Sequence, residues 1–321
     1  MQEKKKEHPK EKSKLHPRNK NRERYDFKKL IDSYPVLDQF VILNKYKDES
    51  IDFTDPFAVK ALNTALLKYH YGIEHWDIPK NYLVPPVPGR ADYIHHIADL
   101  LGKCNQGNIP KGPKIQCFDV GVGANCIYPI IGNKEYGWSF VGSETDTISL
   151  NSARNIVTLN PSLTDKIDVR FQKDSKDFFF GIVRKAEHFD FSICNPPFHS
   201  SAKEAHTSSL RKQQKLSKQK VDNSRLNFAG KTSELSYEGG ESTFVWRMIN
   251  QSKKFSPHFF WFSTLISKQS NLKNVYTTLK KVGAKEVETI AMGQGNKTSR
   301  IVAWTFLSKE EQKKWVEARW L

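Results

Sequence analysis

The residues with the clearest chemical potential form the tetrapeptide Asn195-Pro196-Pro197-Phe198, which follows the apolar run at 189–194. Proline fixes φ and has no N–H, so neither a strand ladder nor a helix continues through this segment. The Pro196 carbonyl and the Asn195 side-chain oxygen can therefore accept from an exocyclic amino group, while Phe198 stacks on the ring that carries that group. The pattern predicts an acceptor site at the carboxyl edge of a parallel sheet, where open α/β folds bind ligands. The competing interpretation is an ordinary turn after a strand.

A second motif is the glycine-rich turn that begins at Asp119 and contains Gly121 and Gly123. Because the third glycine of a dinucleotide fingerprint is missing, the turn alone is weak evidence for a nucleotide site. The next predicted strand, 138–142, leads to Glu144, roughly 20 residues beyond the turn, where an acid accepts hydrogen bonds from ribose hydroxyls. Neither a Walker lysine nor a second basic residue accompanies the turn, so no triphosphate or pyrophosphate is expected. The two patterns favour a nucleoside ligand without phosphate, and S-adenosylmethionine fits that description.

Alternating strands and helices must position these motifs. From Lys114 onward, strands are predicted at 115–120, 138–142, 166–171 and 189–194, with a helix at 147–159. Strands separated by helices form right-handed crossovers and a parallel sheet that is covered on both faces. Further on, the pattern predicts a helix from 242, a strand at 258–266, a helix at 272–282, a hairpin of 287–292 with 300–307, and a helix at 309–320. The predicted fold class is α/β, a doubly wound, mostly parallel sheet over 111–321.

The residues before the sheet, 25–110, are predicted to form a small helical module. Asp55 before Pro56 provides an N-cap with proline at the first helical position, and an apolar period of about 3.6 then continues to Gly72. A second helix is predicted at about 90–101, and Arg90 opens it. A cation there opposes the helix dipole, so we interpret Arg90 as aimed at a carboxylate or phosphate rather than as a surface residue.

The composition points to a polyanionic partner. The 321 residues carry a net charge of +16 and 12% aromatic side chains, which makes nucleic acid the natural candidate. The sequence shows no membrane span, secretory signal, basic amphipathic helix or lipidation signal, so a membrane surface is not expected. The four cysteines include no C-x-x-C pair, which predicts reduced thiols in a cytoplasmic protein and no bound metal.

Two stretches are too polar to build a core. Residues 1–24 are predicted to be a disordered basic tail, either a solubilising extension or an arm that touches RNA phosphates. Residues 200–240 are rich in Lys, Ser, Gln and Arg and leave directly from the tetrapeptide. Their length exceeds that of an ordinary connection. We interpret them as a basic insertion that grips RNA and orders on it, with an inert insertion as the alternative.

Together these motifs resemble those of the class I S-adenosylmethionine-dependent methyltransferases that modify exocyclic amines. The stretches 52–62 and 84–95, with the tetrapeptide, are similar to the 23S ribosomal RNA adenine-N6 methyltransferases of the RlmF type and to their eukaryotic relatives that methylate U6 small nuclear RNA. The resemblance implies a Rossmann-like, seven-stranded sheet with an antiparallel last strand and a helical module beside the cofactor, S-adenosylmethionine. It also implies 23S ribosomal RNA, or a large-subunit assembly intermediate, as the partner; we expect a monomer.

The resemblance further implies roles for individual residues. Those that would contact the cofactor are Arg90 at the methionine carboxylate, Asp119, Gly121 and Gly123 along the methionine and ribose, Glu144 at the ribose hydroxyls, Lys173 and Asp174 at the adenine, and Asn195. Of the pair at the adenine, Asp174 is the better acceptor, and an exposed loop aspartate is the alternative interpretation. The catalytic group is the tetrapeptide: Asn195 and Pro196 hold the target N6 amine, and Pro197 and Phe198 complete the edge.

Two other functions stay open at this point. One is methylation of a protein glutamine side chain, although such enzymes typically carry Asn-Pro-Pro-Tyr. The other is a non-catalytic RNA-binding factor for ribosome assembly that has kept the fold. The intact tetrapeptide argues against this second alternative, but a motif does not prove turnover.

Overall fold

The computed structural model describes residues 11–200, 236–294 and 297–321. Its first part consists of α1 (Phe27–Ser33), a hairpin of β1 (Val41–Leu43) and β2 (Glu49–Ile51), α2 (Pro56–Tyr71) and α3 (Val87–Cys104). The Asp55 carboxylate caps α2 by accepting from the Phe57 amide, and Gly72 ends the helix at φ 59°, as predicted. The prediction of an all-helical module is wrong at β1 and β2, because strands this short give no clear alternation of apolar residues.

The second part alternates strands and helices, as predicted, except at 172–188, where two successive strands are joined without a helix. Its elements are β3 (Gln116–Val120), α4 (Ile127–Tyr136), β4 (Ser139–Glu144), α5 (Thr147–Thr158), β5 (Ile167–Phe171), β6 (Phe189–Cys194), α6 (Gly240–Lys254), β7 (Phe259–Ile266), α7 (Leu272–Val282), β8 (Glu286–Gln294), β9 (Lys297–Thr305) and α8 (Lys309–Arg319). Seven strands form one sheet in the order β5-β4-β3-β6-β7-β9-β8. The neighbouring strands from β5 to β7 in this order are all parallel to one another. The last strand of the chain, β9, runs antiparallel to both of its neighbours, β7 and β8. The predicted doubly wound sheet with an antiparallel last strand is confirmed.

Hydrophobic cores cover both faces of the sheet. Successive residues of β3 point to opposite faces, so Cys117 belongs to one core and Phe118 to the other. The first core contains the apolar sides of α2 to α5, and the second contains those of α6 and α7. All four cysteines are free thiols. Among the described residues, none of the helices combines the length and apolar character needed to cross a membrane.

The segment 11–24 is packed against α3, so the prediction of a disordered tail is wrong for these residues. Leu15, His16 and Asn19 are buried. The Asn19 amide nitrogen donates to the Pro88 carbonyl at 2.8 Å and to the Asp92 carboxylate at 2.5 Å. The composition of 11–24 gave no sign of this packing, because the segment has few apolar residues. Hydrogen bonds to buried polar groups hold it in place instead. Residues 1–10 lie outside the described part of the chain, as does most of the predicted insertion at 200–240.

At the opposite end of the sheet from the tetrapeptide, α8 is bound to β6 through Asp190. This carboxylate is fully buried and accepts from the indole nitrogens of Trp315 at 2.8 Å and Trp320 at 2.7 Å. It also accepts from the Gln116 amide at 2.7 Å and lies 3.3 Å from Arg319 Nε. One buried carboxylate therefore connects the C-terminal helix to the centre of the sheet, beside the packing of Trp315 and Trp320 on Phe260.

Candidate active site

A cavity of about 370 Å³ opens at the carboxyl ends of the central strands. The chain continues from β3 to one side of the sheet and returns through β6 on the other, which makes this the crevice where open α/β folds bind ligands. The predicted site residues that line the cavity are Arg90, Gly121, Gly123, Glu144, Asn195 and Pro197. Residues that lie up to 107 positions apart in the chain therefore converge on one cavity, as the motifs predicted.

The glycine turn after β3 brings backbone rather than side chain to the cavity. Gly121 and Gly123 have φ values of 75° and 66°, in the left-handed region that strongly favours glycine. The amides of Gly121 and Val122 donate to the Ser143 carbonyl at 3.1 and 3.0 Å, which fixes the turn on β4. A Cβ built at Gly121 would meet nothing within 4 Å, so the space beside the turn is open to a ligand.

Glu144 stands at the end of β4 and organises the same turn. Its Oε2 accepts from the Gly123 amide at 2.9 Å, and its Oε1 accepts from Thr145 and Asp146 at 2.8 and 3.0 Å. Burial raises the pKa of the Glu144 carboxyl, and these three hydrogen bonds oppose that shift. Glu144 thus holds the backbone in place while facing the cavity, where a ribose would meet its oxygens.

Arg90 projects from the first turn of α3 into the cavity and is only 9% exposed. Its guanidinium donates to the Tyr128 hydroxyl at 2.7 Å and lies 5.4 Å from the centre of that ring. No carboxylate of the described residues lies within ion-pair distance of Arg90. A buried guanidinium with a neutral partner is well suited to receive the carboxylate of a ligand.

Asp119 lies directly beneath the cavity rather than in its wall. It is paired with Ile193 of β6 and Gly142 of β4, so its side chain shares a sheet face with Asn195 and Glu144, two residues further along those strands. Neither carboxylate oxygen has a hydrogen-bond partner among the described residues. Burial holds the pKa of the Asp119 carboxyl well above its usual range, against the opposing pull of Arg90.

The acceptor edge follows β6, a strand buried along its whole length. Asn195 and Pro197 reach the cavity, while Pro196 and Phe198 are not part of its described lining. The Asn195 side-chain oxygen is buried and has no hydrogen-bond partner among the described residues. An unsatisfied acceptor at this position is costly unless a ligand supplies a donor.

The adenine contacts predicted at Lys173 and Asp174 are less directly supported. The Asp174 carboxylate accepts from the Lys176 amide at 2.8 Å, and the cavity is lined instead by Gln172 before it and by residues 175–178 after it. Gln172 is only 5% exposed and donates to the Phe180 carbonyl at 2.8 Å. The role of Asp174 stays a prediction.

Four of the polar residues that line the cavity were not singled out by their sequence pattern. Tyr128 supports Arg90, and Gln172 lines the cavity. Tyr237 and Arg247 also line it, and the Arg247 guanidinium donates to the Tyr237 hydroxyl at 2.7 Å. None of the four lies in a recognisable motif, and the tyrosines and Arg247 reach the cavity only through long-range packing.

One group of metal-ligating side chains lies elsewhere in the described chain, at His16, His96 and Asp99. His16 Nδ1 accepts from the Arg18 amide at 3.1 Å, so Nε2 carries the ring proton and donates to Asp99 at 2.8 Å. The Arg18 guanidinium also contacts Asp99, at 2.6 Å. These directions describe a neutral imidazole in an ion-pair cluster; the absence of a metal from the protein stays a prediction.

The sheet order, its antiparallel last strand and the crevice with a glycine turn and an acid define a class I methyltransferase. The same fold occurs in the human METTL16 catalytic domain in complex with MAT2A 3'UTR hairpin 1, with a TM-score of 0.76 and 32% identity over 92% of this chain and 96% of that one. It also occurs in the N-terminal domain of human METTL16 in complex with SAH, with a TM-score of 0.72, 29% identity and coverage of 92% and 99%.

Residues 9–308 match the model of an RNA methyltransferase family, and the chain belongs to that family. It is 57% identical to the ribosomal RNA large subunit methyltransferase F of Cytophaga hutchinsonii, over 98% of both chains. It is 54% identical to the protein of the same name from Serratia proteamaculans, over 99% of this chain and 95% of the relative. The resemblance drawn from the motifs is confirmed.

Proposed function

We propose that the protein transfers a methyl group from S-adenosylmethionine to the N6 amine of a specific adenine in the 23S ribosomal RNA of the large subunit. The observation that carries this proposal is the unsatisfied Asn195 oxygen at the wall of the cavity that also contains Arg90 and Glu144. The names of the bacterial relatives support ribosomal RNA as the substrate, and the SAH complex of a structural neighbour supports the methyl donor.

The residues of the cavity fit this cofactor. Arg90 would pair with its carboxylate, the open backbone at Gly121 would lie along its methionine and ribose, and Glu144 would accept from the ribose hydroxyls. Asp119 would lie beneath this end of the cofactor, on the sheet face that also carries Glu144 and Asn195. At the adenine end, Gln172 lines the cavity and Asp174 lies two residues further along the chain, so these two residues are our candidates for the adenine contact.

The chain's own contribution to the chemistry is to hold the target amine. When bound, the cofactor supplies an activated methyl group on a sulfonium, so the amine lone pair forms the new N–C bond, the C–S bond breaks onto sulfur, and a proton leaves the nitrogen for solvent. Asn195 and the Pro196 carbonyl accept from the two N6 hydrogens, and Phe198 stacks on the ring. Such positioning supplies most of the acceleration when the reagent is already activated.

A second groove provides a surface for RNA beside the start of α3. It measures about 1030 Å³ and reaches Gly293 of the β8–β9 hairpin. Its lining includes four basic and four aromatic residues, Lys12, Lys14, Arg24, Lys47, Tyr25, Phe27, Tyr46 and Phe53, together with three acidic ones. The Lys12 ammonium lies 3.9 Å from the centre of the Tyr25 ring, and burial lowers its pKa to about 8. Rings and cations together suit an unpaired stretch of RNA.

The test is methyl transfer from labelled S-adenosylmethionine to large-subunit ribosomal RNA from cells that lack this protein. We expect label in N6-methyladenine, and we expect Asn195→Ala to lower the rate by about 10²-fold, because it removes an acceptor that acts in the transition state. Retained cofactor binding by the variant would show that it is folded. The proposal would be overturned if no label were transferred to free ribosomal RNA or to assembly intermediates.

The same assay separates the alternatives. Label on protein glutamine would support a glutamine methyltransferase, and RNA binding without any transfer would support an assembly factor. A cytoplasmic location and a monomeric state belong to this proposal, and size measurement in solution tests the second.

A further inference from the structure

The end of β6 that carries Asn195 is held differently on its two sides. On one side, β6 stays paired with β3 as far as Val120↔Cys194. On the other side, the pairing with β7 ends at Phe191↔Trp261. The last three residues before Asn195 therefore depend on other contacts where they face β7.

Those contacts are made by buried hydroxyl groups. The Ser263 hydroxyl donates to the Ser192 carbonyl at 2.6 Å, and the Ser263 amide donates to the Ser192 hydroxyl at 3.4 Å. The Tyr93 hydroxyl lies 3.1 Å from Ser263 Oγ and 3.5 Å from the Cys194 carbonyl. Since the Ser263 proton is used on Ser192, the single proton of the Tyr93 hydroxyl goes to Ser263 Oγ at 3.1 Å, and the Cys194 carbonyl at 3.5 Å is the more distant acceptor for the same proton.

Tyr93 belongs to α3, three residues after Arg90, so both side chains lie on one face of that helix. Its ring meets the Tyr128 ring edge to face, with centroids 5.5 Å apart and an interplanar angle of 83°. Tyr128 is the residue that holds Arg90. One helix thus supports the cofactor end of the cavity through Arg90 and Tyr128, and the target end through Tyr93 and Ser263.

We propose that Tyr93 is a positioning residue for methyl transfer, which fixes Asn195 by bonding through Ser263 to the end of β6. This inference rests on the proposed function. Tyr93 acts through the backbone and touches neither the amine nor the cofactor. Loss of its hydroxyl should therefore slow the chemical step while leaving cofactor affinity intact, because small displacements of a positioning group reduce the rate steeply.

The first measurement is a single-turnover rate with saturating cofactor and ribosomal RNA. We expect Tyr93→Phe to be slower by about tenfold, with its dissociation constant for S-adenosylmethionine changed by less than about twofold. Ser263→Ala should show the same pattern, and the double variant should be little slower than the slower single variant, because both act through one contact.

Two further tyrosines serve as matched controls. Tyr128→Phe should weaken cofactor binding, because it releases Arg90. Tyr136→Phe removes a hydroxyl that contacts Arg18 and His95 at the far end of α4 and should keep the wild-type single-turnover rate. A wild-type rate for Tyr93→Phe, or a defect confined to cofactor affinity, would overturn the inference.

The second measurement needs no substrate. Hydrogen exchange should be faster in the peptide that spans 189–199 of Tyr93→Phe and Ser263→Ala than in wild type or Tyr136→Phe. Unchanged exchange in that peptide would rule the inference out even if the proposed function failed. A wild-type protein that never methylates RNA would overturn the proposed function alone.

Discussion

At the scale of single residues, the buried carboxyl group of Asp119 lowers the stability of the folded protein at neutral pH. Asp119 is 1% exposed, and its carboxylate lacks hydrogen-bond partners among the described residues. The charged groups that act on it electrostatically are Arg90 of α3 and Glu144 of β4. Burial raises the pKa of Asp119 well above the value in an unfolded chain. The folded state therefore binds a proton that the unfolded state releases, and stability falls as the pH rises from the unfolded pKa towards the folded one.

We predict that Asp119→Asn raises the melting temperature of the cofactor-free protein at pH 7 by a few degrees, about 1 kcal/mol. The amide stays neutral, so the difference from wild type should shrink as the pH falls towards 4. Thermal unfolding between pH 4.5 and 8.5 measures it.

Asp99 supplies a control of opposite sign for this prediction. Hydrogen bonds from His16 and Arg18 lower the pKa of the Asp99 carboxyl, so it stabilises the fold above its unfolded pKa and Asp99→Asn should lower the melting temperature at pH 7. A pH-independent shift for Asp119→Asn would contradict the protonation account.

The residues that sequence reasoning found are those with a local signature. Arg90 at a helix start, the glycines after β3, Glu144 after β4 and Asn195 before two prolines are each recognisable from their immediate neighbours. Tyr93 has no such signature, because its partner Ser263 is 170 positions away. Its importance arises only when α3 and the β6–β7 edge are brought together.

Among the elements, α8 depends on one buried acid. Asp190 accepts hydrogen bonds from two tryptophans and a backbone amide and pairs with Arg319. All of these donors lose their acceptor together if the carboxylate is removed, and a partner left unpaired in a buried site is costly.

We predict that Asp190→Ala lowers the free energy of unfolding by about 3 kcal/mol. Denaturant unfolding followed by tryptophan fluorescence measures the change, with Glu317→Ala, an exposed position on the same helix, as the matched control at less than about 0.5 kcal/mol. Because Asp190 lies at the beginning of β6, the end of the strand farther from the cavity, cofactor affinity should be unchanged under folded conditions. A loss below about 1 kcal/mol would show that α8 is held mainly by apolar contacts.

The elements that the sequence predicted are those with a long periodic pattern, such as α2 and α7, or with a continuous apolar run, such as β7. No particular helix was predicted at α4, which begins after Cys126 at φ 52° without a side-chain cap. The β1–β2 hairpin and the packed segment 11–24 were missed for a related reason. Each of these elements is held by contacts with the rest of the fold, and its own sequence has no strong helix or strand propensity.

The whole molecule carries a net charge of +16, and its proposed ligands respond to that charge differently. RNA binding releases counterions from phosphates, whereas cofactor binding involves single charges inside a cavity. The charge distribution therefore predicts two ligands with different salt dependence.

We predict that affinity for ribosomal RNA falls by about 10³-fold between 50 and 200 mM salt if roughly six phosphates are contacted. Affinity for S-adenosylmethionine should change by less than about threefold over the same range, because its charges are enclosed. Filter binding and calorimetry at matched salt concentrations measure the two. An RNA affinity that is insensitive to salt would argue against phosphate contacts as the main source of binding.

The fluorescence of Trp76 should report on ligand binding in the cavity. Its indole nitrogen donates to the Asn125 carbonyl at 2.9 Å. Asn125 belongs to the glycine turn after β3 and lines the cavity. Since indole fluorescence responds to the polarity and hydrogen bonding of its surroundings, a ligand that binds against the turn should change the fluorescence of Trp76. Subtracting the spectrum of Trp76→Phe from that of wild type would isolate the signal from the other six tryptophans, so cofactor occupancy could be followed in real time without a label.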